Sequence, residues 1–406
     1  MSTSVSASSL SPIQPTEAPS ASSGGGLRLP LDPLLTLATV GLGICSVLTL
    51  RVATRKLIPG NPHYYVARQT IYLAVGLALM VALSRVDYAR LRHLMYPIYG
   101  ALILSILAVL ALGREIKGSV HSTRAISFPL FSFQASELGK VLLIVALSAF
   151  VVGRSRRLRE LDTTARVLLV ALVPAMLVIL QPDLGSGLVY MAIAFMLLFV
   201  AGTSWRQLAG LVALIVVSGT IVLVAAPAIG VHVLKPYQEE RLTVFLNPSG
   251  STGEGAYQQL QSKVAIGSGQ KTGRGGESTQ IEGKYVPEDE TDFVFAAVGE
   301  QYGFVGAALV LSLYALLIWR TLRILTMSKD LFGTLVAAGV LAMLMFQVFV
   351  NVGMAVGIMP ITGVTLPLMS YGGSSVITTL LAVGLLQSIY VQGRASQALK
   401  GRVVRH

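Results

Sequence analysis

Three stretches of this chain place ionisable side chains inside sequence that is otherwise apolar. In "FSFQASELGKVLLIV", Glu137 and Lys140 stand three residues apart at the head of an apolar run, on one face of any helix formed there. In "LVILQPDLGSG", Asp183 lies in the turn between two apolar runs, where a carboxylate can cap the second helix and still meet a substrate. In "YVPEDETDFVFAAVGEQYG", Glu288, Glu290 and Asp292 precede an apolar run, and Glu300 lies about two turns inside it, where it needs a partner. A charge at membrane depth costs about 2.5–3.5 kcal/mol on insertion scales, so such groups are functional candidates by default. Carboxylates so placed can take a proton from an attacking hydroxyl or answer a cation. Glu137 and Lys140 read equally as an ion pair at a helix start.

A second kind of chemistry is offered by the polar stretch "FLNPSGSTGEGAYQQLQSKVAIGSG" (245–269), which is rich in glycine and carries one carboxylate, Glu254. Around it lie Lys235, Arg241, Lys263, Lys271, Arg274 and Lys284. The run "AIGSGQKTGRGG" combines backbone amides with cations, the ingredients for holding a phosphate or pyrophosphate. It lacks the strand–loop–helix setting and the Gly-Lys-Ser/Thr ending of a nucleotide loop, and a glycine-rich loop is expected to be flexible. Of these cations, Arg241 carries the guanidinium suited to bidentate phosphate binding. The five histidines are scattered without metal-ligand spacing, and the single Cys45 sits in an apolar run. No cofactor is evident, and a divalent cation stays open.

The elements that must position these groups are membrane helices. Of 406 residues, 53% are apolar and only 12% are charged, with a mean hydropathy of +0.71. A soluble surface needs about twice that charge fraction, so lipid must be the solvent for most side chains. The net charge of +12 reads as basic cytoplasmic loops rather than as a nucleic-acid surface. Runs of roughly 20 apolar residues predict an all-α polytopic membrane protein of about ten helices. Their cores are 33–50, 70–86, 94–112, 136–153, 165–181, 185–202, 207–229, 293–319, 332–356 and 371–392. The fifth and sixth form a tight hairpin around "QPDLGS". The ninth runs into "GIMPITGVTLPLMS", too broken by proline and glycine to be one helix, and such backbone must line protein or a wet cavity. Lys and Arg are densest in "SRVDYARLRH", "GRSRRLRELDTTAR", "SWRQ", "WRTLRILTMSKD" and the tail, which predicts both termini cytoplasmic. Residues 1–26 are expected to be a disordered tail and 396–406 a basic tail, flanking a transmembrane domain over 27–395. Its outer loop spans about 230–292.

The stretch "NVGMAVGIMPITGVTLPLMSYGGSS" (351–375) resembles the signature of the SEDS family, the RodA, FtsW and SpoVE proteins of bacteria. In the same order along the chain, "FQASELGK", "LQPDLGSG", "LKPYQEERLTVFLNP", "AYQQLQSKVAIGSG" and "PEDETDFVFAAVGEQYG" are similar to that family. "MPITG" and "PLMSYGGSS" look more like RodA than FtsW.

The resemblance implies a multi-pass protein of the bacterial cytoplasmic membrane. It implies a peptidoglycan glycosyltransferase that polymerises lipid II at the outer face, for elongation and cell shape, beside a class B penicillin-binding protein. One sugar hydroxyl attacks the anomeric carbon of a second lipid II and undecaprenyl pyrophosphate leaves. This calls for a base and for cations. The substrate site implied comprises Arg241, Gln261, Lys263, Glu137, Lys140, Asp183 and Glu300. Ser370, Gly372, Gly373 and Ser374 of the broken segment join it. The family's catalytic Asp aligns with Ser251, and a serine hydroxyl is too weak a base to replace it unaided. Glu254 or a more distant carboxylate such as Asp292 or Glu240 is then the expected base. Two other readings stay open: a weakly active scaffold for the transpeptidase, and a lipid II flippase.

Overall fold

The computed structural model describes residues 31–55, 57–58, 60–112, 125–127, 132–221, 253–283, 285–286 and 290–403. Arg241, Ser251, Glu240, Glu288, the whole expected 1–26 tail with residues 27–30, and 404–406 of the expected basic tail lie outside them. Ten long apolar helices account for most of the described chain. They are α1 (Pro33–Ala53), α2 (Tyr64–Ser84), α3 (Met95–Leu112), α4 (Ala135–Val152), α5 (Leu161–Leu180), α6 (Leu184–Val200) and α7 (Trp205–Thr220). After α8 (Glu254–Ser268) and the one-turn α9 (Thr279–Glu282) come α10 (Val294–Met327), α11 (Leu331–Val356) and α12 (Gly373–Val403). Eight are long and apolar enough to cross a membrane; α6 and α7 are shorter apolar helices. Each of the ten falls on one predicted apolar run, of which the seventh lies outside the described residues beyond 221.

The starts of these helices follow local chemistry. Asp32 caps α1 by accepting from the Leu35 amide at 2.8 Å, with Pro33 in the first turn. Asp330 caps α11 through the Gly333 amide at 2.8 Å, and α11 ends on Gly357 at φ 83°, a left-handed position that favours glycine. Asp32 is fully buried and is tied across the sequence. Arg320 near the end of α10 pairs with its carboxylate, and Gln387 of α12 accepts from its amide at 2.8 Å.

α4 and α11 are buried over most of their length and form the centre. α3, α6 and α12 pack on α4, α2 packs on α12, and α1 packs on α10. The helices alternate, so one end of the bundle gathers the starts of α2, α4, α6, α10 and α12 with the segments 253–283, 290–293 and 357–372; this is the loop end. The opposite, basic end carries Arg85, Arg90, Arg92, Arg154, Arg156, Arg157, Arg159 and Arg206.

Three expectations change. The polar stretch after 253 is not loose: residues 254–268 form α8, which packs on α10 and α11. "WRTLRI" is helical and belongs to α10, which continues to Met327 because nothing in it breaks a helix. And α10 is not one straight helix. Gly303 takes φ 62°, ψ −157°, a conformation essentially confined to glycine, and divides it.

Candidate functional site

The loop end holds two connected polar groups and one clasp. The first group joins α4, α6 and α12. Asp183, almost fully buried, caps α6 by accepting from the Ser186 amide at 3.1 Å. Its other oxygen accepts from the Ser136 hydroxyl at 2.8 Å and from Gln134 Nε2 at 3.2 Å. The Tyr190 phenol, fully buried, donates to the Ser136 carbonyl at 3.1 Å. One turn further into α4, Lys140 Nζ meets Glu137 Oε1 at 2.7 Å, with side chains only 1% and 5% exposed. Gly139 sits between them because the Tyr190 hydroxyl leaves no room for a Cβ. Gln134 carries the network outward, its amide donating to the Ser374 hydroxyl at 2.9 Å while Ser374 donates to the Ser132 carbonyl at 2.7 Å. The expected pair Glu137–Lys140 is therefore formed inside the bundle, and Asp183 both caps a helix and anchors side chains from a second one.

The second group is the broken segment 357–372 and what holds it. Asn351, buried at the end of α11, donates to the Val364 carbonyl at 2.8 Å and the Asp292 carbonyl at 2.9 Å. The Ser370 hydroxyl accepts from the Leu366 amide at 2.8 Å and donates to the Thr291 carbonyl at 2.6 Å. The Tyr371 amide donates to the Glu290 carbonyl at 2.8 Å. Asp292 is thus brought against the signature by its own backbone and its neighbours'. Gln69 of α2 donates to the Ser370 carbonyl at 3.2 Å and accepts from the Gly372 amide at 3.4 Å. Gly373 opens α12 with the Tyr72 ring 3.1 Å from where a Cβ would stand.

The Tyr371 ring meets Tyr65 edge-on, with centroids 4.8 Å apart, and Tyr72 at 6.3 Å; Arg68 lies over Tyr64 at 4.4 Å. Burial, with Tyr72 beside it, pushes the Tyr371 phenol far above the ordinary tyrosine range. In the same half of the bundle an apolar groove of about 260 Å³ opens between α1, α2 and α12, lined by Gly43, Val47, Leu48, Thr70, Leu73 and Leu380.

α8 and the following turn form the clasp. Gln259 Nε2 donates to the Met359 carbonyl at 3.3 Å and the Ser262 hydroxyl to the Ala355 carbonyl at 2.8 Å, fixing α8 to the end of α11. The break at Gly303 frees amides that the turn then satisfies. The Phe304 amide donates to the Gln270 carbonyl at 2.8 Å, the Val305 amide to that of Lys271 at 3.1 Å, and the Arg274 amide to that of Glu300 at 2.8 Å. Gly269, Gly273 and Gly303 allow this approach; any Cβ at those positions would enter the opposing backbone. The Glu300 carboxylate, fully buried, accepts from the Gln280 amide and the Ile281 amide, both at 2.9 Å, and so caps α9. The run "AIGSGQKTGRGG" therefore spends its backbone on α10, not on an open anion cradle. That is a correction to its reading as a flexible phosphate loop.

Of the candidate cations, Lys263 is exposed on α8 with its side chain lying against Gly357, and it has no acidic partner among the described residues. Gln261, one turn earlier on α8 than Ala265, is half-buried, and Arg241 lies outside the described residues. Glu254 begins α8, so its backbone is held and does not swing freely. Ser251 lies outside the described residues. The geometry brings Asp183, Ser374, Ser370, Gly372, Gly373 and Asp292 to one end of the bundle, with Glu137 and Lys140 deeper in it. Glu300 is spent on the clasp. Among the described residues no cluster of three His, Cys, Asp or Glu side chains is present.

Sequence reasoning missed Gln134, Ser136 and Tyr190, whose roles depend on partners on other helices. It also missed Tyr65, which packs on Tyr371. Only the aromatic density of "HYYVARQTIY" hinted at it.

Comparison with known proteins fits this layout. The family model FTSW_RODA_SPOVE, described as "Cell cycle protein", matches residues 31–395. A probable peptidoglycan glycosyltransferase FtsW of Thioalkalivibrio sulfidiphilus is 35% identical over 377 residues, covering 91% of each chain. The peptidoglycan glycosyltransferase MrdB of Escherichia coli is 33% identical over 366 residues, 89% of this chain and 94% of that one. Among solved structures, a chain of a peptidoglycan synthase complex, studied for the coordination of polymerization and crosslinking, superposes with a TM-score of 0.75 at 33% identity. The match covers 90% of this chain and 99% of that one. The rod shape determining protein RodA of Thermus thermophilus gives a TM-score of 0.62 at 30% identity, over 89% and 97%. FtsW, MrdB and RodA proteins match about equally well, so the RodA-like leaning of the signature is not resolved.

Proposed function

The chain belongs to the FtsW/RodA/SpoVE family, and from that premise we propose that it is a peptidoglycan glycosyltransferase that polymerises lipid II at the loop end of the bundle. The observation that carries the reading is the meeting of the broken segment 357–372 with the start of α6 on one side, where Thr362 and Val364 leave no room for a Cβ at Gly185 beside Asp183, and with 290–292 on the other. Broken backbone beside buried polar groups at the end of an apolar bundle suits a substrate with a polar head and a long hydrocarbon tail. The groove between α1, α2 and α12 suits that tail.

In the proposed reaction the hydroxyl of an acceptor sugar attacks the anomeric carbon of a donor. The carbon–oxygen bond to pyrophosphate breaks as the glycosidic bond forms, with inversion. A carboxylate takes the hydroxyl proton, and Lys263 with Arg241 neutralises the leaving pyrophosphate. Glu254 is the proposed base, because α8 is fixed to the end of α11 and Glu254 stands about one and a half turns before Gln259. Asp292 is the second choice. Ser370, Gly372 and Gly373 shape the floor of the site, and Asp183 with Glu137 and Lys140 stiffens its wall. The density of arginine at the basic end supports a cytoplasmic placing of that end and of both termini. A class B penicillin-binding protein is the proposed partner, in keeping with the synthase complex that the chain resembles.

Ser251, where the family resemblance expects Asp, favours a second reading: a scaffold that holds the substrate and the transpeptidase without turnover. Polymerisation of purified lipid II by the full chain, beside Glu254→Ala and Ser251→Asp, separates the two. Activity in the natural chain lost in Glu254→Ala is the expected result. Silence in the natural chain with activity in Ser251→Asp would make it a scaffold that kept its site.

A further inference from the structure

At the basic end, far from the proposed site, α5 and α7 begin side by side and leave a groove of about 560 Å³ between them. Its mouth is polar. Gln207 bridges the two sides, donating from Nε2 to the Arg159 carbonyl at 2.9 Å and accepting from the Thr164 hydroxyl at 3.1 Å, so the mouth is held in shape. Arg159, Arg206 and Ser204 line it, and both arginines are exposed. Neither has an ion-pair partner among the described residues, in contrast to Arg166, paired with Asp162 at 2.9 Å, and Arg154, stacked on Phe150 at 3.7 Å. Deeper in, the lining becomes aliphatic: Leu168 from α5 and Gly210, Leu211 and Leu214 from α7. α7 leaves Leu214, Ile215, Val216 and Val217 exposed, so no described residue covers this wall. Trp205, 75% exposed, marks the level of the membrane interface beside the mouth.

We propose that this groove binds an anionic phospholipid of the surrounding leaflet, with its phosphate between Arg159 and Arg206 and one acyl chain along Leu168, Leu211 and Leu214. The charge pattern selects the occupant. Two unpaired guanidinium groups at interface depth suit a phosphate monoanion and its ester oxygens, and Arg binds such oxygens in pairs. From Arg206 to Leu214 the wall runs about 12 Å along α7, enough for the upper part of a fatty chain. A soluble anion would use the mouth but leave the aliphatic floor empty, and a neutral lipid would use the floor but leave both charges unanswered.

The test is lipid binding to the full chain in detergent, counted by native mass spectrometry during titration with phosphatidylglycerol or phosphatidylcholine. The natural chain is expected to prefer phosphatidylglycerol by roughly 10- to 30-fold, the worth of two surface arginines. Arg159→Ala with Arg206→Ala removes that preference, while Arg90→Ala with Arg92→Ala leaves it. Gly210→Phe, placed where an added Cβ meets nothing within 4 Å, weakens both lipids without lowering the unfolding temperature. Equal binding of the two lipids by the natural chain would overturn the proposal, as would a preference that survives loss of both arginines. Millimolar inorganic phosphate that displaces phosphatidylglycerol while Gly210→Phe binds normally would assign the mouth to a free anion instead.

Discussion

The two tightly held regions of the loop end are built from opposite materials. Around Asp183, side chains bond to side chains and carbonyls across α4, α6 and α12, and a charge pair lies one turn below. Around Gly303, backbone bonds to backbone, and the residues that matter are those with nothing beyond Cα. The first region is expected to respond most to a change of charge, the second to one methyl added at Gly269, Gly273 or Gly303. A membrane bundle can thus fix a polar site in two ways: by filling the interior with matched groups, or by bringing an outer turn so close that only glycine fits.

That contrast can be broken at the charge pair first. Lys140→Met leaves Glu137 buried without its partner, an expected loss of about 3–5 kcal/mol in reversible unfolding, and adding Glu137→Gln should restore most of it. A single variant as stable as the natural chain would mean that water reaches the pair. Next comes Gly303→Ala, which forces an alanine into a glycine-only conformation at about 1–3 kcal/mol and pushes on the Thr272 amide 2.7 Å from its new Cβ. Hydrogen exchange should accelerate at Phe304 and Val305. The matched change Gly276→Ala meets open space and should stay within about 0.5 kcal/mol. Asp183→Asn should cost about 1–2 kcal/mol, and if the network serves catalysis as proposed, lipid II polymerisation falls by far more than that loss explains. Equal activity at equal folded fraction would leave Asp183 a cap alone. The smallest effect is expected from Tyr65→Leu, about 0.5–1.5 kcal/mol from the lost ring contact with Tyr371.

The side-chain region was legible because charge in an apolar run is conspicuous: Glu137, Lys140 and Asp183 stand out in the sequence. So did the ten apolar runs and the break after α11, since hydropathy and proline act locally. The clasp was not legible. "GEQYGFVG" contains no proline, and a glycine at φ 62° looks like any other glycine until the turn that docks on it is known. α8 escaped for a related reason. Its sequence "EGAYQQLQSKVAIGS" is polar with glycine at both ends, and what stabilises it is contact with α10 and α11 rather than its own propensity. Tyr65 and Tyr371 are more than 300 residues apart, beyond the reach of any local pattern.

Asp32 carries a consequence for how the protein is made. Its partners, Arg320 and Gln387, are synthesised 288 and 355 residues later. During biosynthesis the Asp32 carboxylate therefore waits for its guanidinium partner until α10 is made, and the Asp32 backbone waits for Gln387 until the last helix has inserted. Membrane insertion of α12 becomes the step that seals the beginning of the chain. A protein truncated before Gln387 would present quality-control proteases with an unfastened first helix, however well its middle had folded.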